Sequence, residues 1–60
     1  MRESTEIRRQ IREHKADMKA RGFRITSFMN RQPVEQERAN CRLYQLKLNL
    51  TEALKKEATN

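Results

Sequence analysis

The sequence predicts an all-α protein: a two-helix antiparallel hairpin that dimerises into a four-helix bundle. Three observations carry that expectation. Two long segments are rich in Glu, Lys, Arg, Gln, Leu and Ala, which are good helix formers, and their apolar residues recur at spacings of three and four. The segments flank a connector that holds the one glycine and runs up to the one proline of this 60-residue chain. The second segment is apolar on two sides, and a chain below about 70–80 residues rarely stabilises itself with a single core. Charges of both signs are interspersed, with 14 Lys/Arg against 8 Asp/Glu, a pattern unlike the like-charge blocks of disordered tails.

The first helix is expected from about Thr5 to Arg21. Ser4 is the candidate N-cap, and Glu6 lies in the first turn, where the helix dipole favours negative charge. Ile7, Ile11, His14 and Met18 share one face. Gly22 suits the left-handed residue that ends many helices, with Phe23 then positioned to close a Schellman cap over Met18. The connector, residues 22–32, is unusually apolar. Its Phe23, Ile25, Phe28 and Met29 are expected to fold back over the helix ends, with Thr26 or Ser27 capping one turn through Phe28–Arg31.

The second helix is expected from about Pro33 to Glu57, with Pro33 at the first helical position and Glu35 in the first turn. Residues Ala58–Asn60 should fray. Ala39, Leu43, Leu46, Leu50 and Ala53 form a seam of heptad type, widened by Leu54. Cys41, Tyr44 and Leu48 make a second apolar row. A helix with two apolar sides needs two neighbours. One is the first helix, and the other is expected to be a second copy of the chain. Ile7, Ile11, Met18, Leu43, Leu46, Leu50 and Leu54 are thus the expected core and dimer seam. Leu46, Leu48 and Leu50 also alternate as a strand would, but the helical flanks decide for helix.

Several functions are disfavoured by inventory. Cys41 is the single cysteine, so no intrachain disulfide forms. With His14 as the single histidine, one chain has too few ligands of those types for a four-ligand zinc site. No metal or cofactor is expected. A catalytic cysteine needs a base held by a third group, and His14 is the sole candidate, so Cys41 reads as a small buried residue and His14 as a half-buried seam residue. One glycine makes no phosphate-cradling loop, and Glu35 and Glu37 do not face each other on a helix. No apolar run reaches membrane-spanning length. The polar, charged N-terminus lacks the apolar core of a secretory leader, so a cytoplasmic location with a reduced thiol is expected.

Charge is the clearest functional signal. The chain carries a net +6, and residues 1–32 hold nine Lys/Arg against four Asp/Glu. Arg8, Arg12, Lys15 and Lys19 form a stripe beside the apolar face, with Arg9 next to it. The stripe reads either as a solvated face that keeps a small protein soluble or as a set of phosphate contacts. Neither a helix-turn-helix nor a ribbon–helix–helix pattern fits well: the connector is too long for the first unless its one-turn element forms, and in the second a 17-residue helix is out of place before the strand that Phe23–Ile25 would supply. The expected function is non-enzymatic protein–protein binding. A second copy of the chain and another protein are the expected partners, with Phe28, Met29 and Tyr44 as anchors. Nucleic acid is the alternative partner.

The run RESTEIRRQIREHKADMKARG (Arg2–Gly22) and the segment NCRLYQL (Asn40–Leu46) resemble the small early proteins of lambda-like temperate phages, encoded between the exonuclease and excisionase genes. The two segments cover about half the chain. The resemblance implies a small helical protein made early after induction, one that biases the phage toward lytic growth and interferes with host processes, with a host or phage protein as its partner. It carries over no functional residue.

Overall fold

The computed structural model describes residues 2–26 and 31–59. Two helices account for most of them: α1, Glu3–Ala20, and α2, Val34–Thr59, which lie against each other as a hairpin. The fold is therefore all-α, and no strand occurs among the described residues. At 1.5 Å per residue, α1 is about 27 Å long and α2 about 39 Å. The Cα envelope measures 41 × 23 × 11 Å. The hairpin is one helix thick, so each helix can bury only the face turned toward the other.

That face is small. Ile7 and Met18 of α1 meet Leu43, Leu46 and Ala53 of α2 as the buried apolar set. Ile11, Ala39 and Leu50 are half-buried at its margin. Leu46 is buried, Leu48 exposed and Leu50 half-buried, so helical periodicity overrides the strand-like alternation. Leu54, expected to widen the seam, stays 40 % exposed. At roughly 100° per residue it sits about 80° around α2 from Leu46, beyond the reach of a single neighbouring helix.

The ends of α1 differ in how local they are. The N-cap is Arg2, extended at φ −71° and ψ 145°, and its carbonyl accepts from the amides of Thr5 and Glu6 at 3.1 and 3.2 Å. The expectation that Ser4 caps this helix is corrected. Ser4 lies inside the first turn, buried, and its Oγ donates to Glu57 Oε1 at 3.0 Å across the hairpin. Glu3 and Glu6 supply the first-turn negative charge. The C-terminal end closes locally. Gly22 takes φ 75°, its amide donates to Lys19 O at 3.0 Å, and the Phe23 amide donates to Met18 O at 2.9 Å. This pair of bonds is the Schellman pattern.

α2 starts one residue later than expected. Pro33 is the residue before the helix, and its carbonyl accepts from the Glu37 amide at 2.9 Å. The helix also continues past Glu57. Thr59 Oγ1 donates to Lys56 O at 3.0 Å in the last turn, so Ala58 and Thr59 remain helical where fraying was expected. Within the connector, Phe23 is half-buried while Ile25 is exposed. The expected turn through Phe28–Arg31, capped by Thr26 or Ser27, falls mainly on residues 27–30, which with Phe28 and Met29 lie outside the described residues.

Candidate functional site

The connector is held by a polar ladder that the sequence reading did not anticipate. Gln36 and Asn40 lie one turn apart at the start of α2, and Gln32 sits just before the helix, four residues ahead of Gln36. Asn40 is 4 % exposed. Its Nδ2 shares its two hydrogens among Arg24 O at 2.9 Å, Gln36 O at 3.0 Å and Gln32 Oε1 at 3.2 Å, while its Oδ1 accepts from the Thr26 amide at 3.0 Å. Gln36 Oε1 accepts from the Arg24 amide at 3.1 Å, and Gln36 Nε2 donates to Gln32 Oε1 at 3.0 Å. Thr26 Oγ1 completes the set by donating to Gln32 Oε1 at 2.8 Å. The amides thus read out the backbone of residues 24–26. The spacing was available in the sequence, but nothing there says what the amides would meet.

The chemistry-bearing side chains are kept apart. His14 is half-buried, and its Nε2 lies 2.8 Å from Ala39 O. A carbonyl only accepts, so Nε2 carries the proton and donates. That bond ties the middle of α1 to α2. Cys41 is exposed on the hairpin, so α1 does not supply the burial expected for the thiol. It lies two residues beyond Ala39, about 200° around the helix, and so faces away from His14. No trio of His, Cys, Asp or Glu that could hold a metal ion occurs among the described residues.

Two surfaces remain. The first is the basic flank of α1. Arg8, Arg12, Lys15 and Lys19 line one side of the helix and make no ion pair among the described residues. Arg9 differs from them. Its guanidinium bonds Glu6 and lies 3.8 Å from Glu13. The hydrogen bond from Arg9 holds the Glu6 carboxyl below its usual range, and the Glu6 carboxylate in turn raises Arg9. At the connector end, Lys15, Lys19 and Arg24 border an open trough of about 690 Å³ lined by Met18, Gly22, Phe23 and Ile25.

The second surface is the outer side of α2. Val34 is 62 % exposed, Tyr44 52 % and Leu48 42 %, and the exposed Cys41 lies among them. Val34, Cys41 and Leu48 are seven residues apart, with Tyr44 between the last two. They occupy one line about 180° from the Leu46 face that packs on α1. Of the expected anchors, Tyr44 is on this line, while Phe28 and Met29 lie outside the described residues. No helix among the described residues is long and apolar enough to cross a membrane. Comparison with known families, characterised proteins and solved structures returns no match for this chain.

Proposed function

We propose that this is a non-enzymatic regulatory protein that acts by protein–protein binding through the outer side of α2. The observation that carries the reading is the exposed line Val34–Cys41–Tyr44–Leu48. An apolar row of heptad spacing running down a helix is the pattern that docks onto another helix. The alternative use of these residue types in chemistry is weakened by their placement: His14 spends Nε2 on Ala39 O, and Cys41 faces away from it. Both a second copy and a host or phage protein fit as partners. The likeness of Arg2–Gly22 and Asn40–Leu46 to small early proteins of lambda-like phages supports a regulatory role in the host cytoplasm.

Immobilised wild-type protein and a Tyr44→Ser/Leu48→Ser variant of equal helix content should be compared in nuclease-treated bacterial lysate. The wild type is expected to retain a protein that the variant loses. Equal retention by both would remove α2's outer side from the binding function.

A second reading, nucleic-acid binding by α1, is favoured by a separate observation. Arg8, Arg12, Lys15 and Lys19 extend over about 16 Å of one helix flank without ion pairs among the described residues. Such a row tracks phosphates by charge and carries no base-reading code.

A further inference from the structure

We infer that the outer side of α2 pairs with the same side of a second copy, antiparallel and in one register, so that four helices lie in a row. The inference rests on the reading of that side as a docking surface and adds its occupant.

Surface area is the first argument. The chain exposes 5043 Å², about 900 Å² more than the roughly 4100 Å² expected for a compact monomer of this size. A standard interface covers about 800 Å² on each partner. The one-helix-thick hairpin therefore presents about as much surplus surface as one stable pairing removes.

Charge decides the orientation. On the outer side, Val34, Cys41, Leu48 and Lys55 recur every seven residues as one heptad position, and Glu37, Tyr44, Thr51 and Ala58 as the other. A parallel, in-register pair would set Glu37 against Glu37 and Lys55 against Lys55 of the second copy, juxtaposing like charges along the row. Turning one copy around pairs the first heptad position with the second. Val34 then meets Ala58 of the second copy, Cys41 meets Thr51, and Tyr44 meets Leu48. In the same register Glu37 meets Lys55. Arg38 and Glu52, on the flank of the row, also come opposite each other. By two-fold symmetry each of these pairs occurs twice. Glu37, Arg38, Glu52 and Lys55 make no ion pair within the hairpin among the described residues. The one like-charge approach is Lys47 against its own copy at the rim, where both side chains reach water.

The placement of the two apolar sides sets the shape. The side of α2 against α1 and the side against the second copy are about 180° apart, so the order is α1, α2, α2, α1 in one layer. A closed bundle would require the two sides to lie nearer 90°. The basic flanks of the two α1 helices then fall at the opposite edges of the layer.

The full-length protein tests this directly. Sedimentation equilibrium at micromolar concentration should give a dimer. Glu37→Lys alone and Lys55→Glu alone should each weaken it, by roughly 5- to 30-fold for two exposed ion pairs replaced by repulsions. The double swap, which restores both pairs, should recover the wild-type constant. Thr51→Cys should give a covalent dimer under mild oxidation, because residue 51 faces Cys41 of the second copy. Wild-type protein should not, because the two Cys41 residues are about 15 Å apart along the axis, beyond disulfide reach. A wild-type disulfide dimer, a double swap without recovery, or Thr51→Cys that fails to cross-link would each overturn the inference. So would a folded monomer. In that last case, if Tyr44→Ser/Leu48→Ser still abolishes capture of another protein, the docking reading of this side survives without self-pairing.

Discussion

Asn40→Ala tests whether the amide ladder holds the connector to α2. Three of its bonds cross from α2 to residues before it: to Arg24 O, to Gln32 Oε1 and from the Thr26 amide, at 2.9, 3.2 and 3.0 Å. The fourth, to Gln36 O, lies within its own segment. A hydrogen bond contributes about 0.5–1.5 kcal/mol net, so losing three costs about 1.5–4.5 kcal/mol, centred near 3. Arg24 is exposed and Thr26 half-buried; water therefore satisfies part of what the substitution frees, which holds the loss near that figure. The whole stability of a domain this small is about 3–9 kcal/mol, so the loss is a large fraction. Two measurements check it. Urea denaturation followed by circular dichroism should show the midpoint falling with little change in slope. Limited trypsin digestion should show faster cleavage after Arg24, since the segment is released before the helices melt. Asn40→Asp keeps the side-chain shape and the acceptor for Thr26, but it turns an oxygen toward Arg24 O and Gln36 O. It should lose at least as much as the alanine variant. Unchanged cleavage after Arg24 in both variants would show that the ladder does not hold the connector.

Other expectations follow from single features. Gly22→Ala places a Cβ in open space but at φ 75°; the cost is backbone strain alone, about 1–2 kcal/mol, read as a lower melting temperature with unchanged helix content. Glu6 has its carboxyl pKa lowered from 4.5, first by the hydrogen bond from Arg9. A depressed folded-state pKa contributes stability above the unfolded value and loses it as pH falls through the folded one. The Glu6 carboxyl carbon should therefore titrate below 4.5 by NMR, and Arg9→Ala should bring it back toward that value. If the α1 flank binds nucleic acid, affinity for DNA and RNA should fall steeply with salt, and Arg8→Glu/Arg12→Glu should flatten the slope by about two phosphate contacts. Salt-independent binding, or none at low salt, would dismiss that reading.

The basic flank and the outer row were legible as sequence spacings, because charge and apolar periodicity on a helix depend on residue order alone. Their standing within the fold was not. Arg9 sits beside Arg8 in the chain, yet it turns to Glu6 and Glu13 while Arg8 makes no ion pair among the described residues. Leu54 and Cys41 looked as apolar as Leu43 and Leu46, but one neighbouring helix covers only one side of α2, and both were left exposed.

Residue order by itself determined the two helices and the break between them. Apolar spacing, helix propensity and the freedom of Gly22 to take φ 75° act within a few residues, and the bonds that close α1 join residues no more than five apart. Tertiary structure alone decided what the polar side chains do. Ser4 reads as a cap until Glu57, 53 residues away, claims its hydroxyl. Nothing in the sequence marks Asn40 until the backbone of Arg24 and Thr26 comes to meet it. A hydrogen-bonding group takes whichever partner folding brings within about 3 Å, and that partner is set by the way the two helices meet.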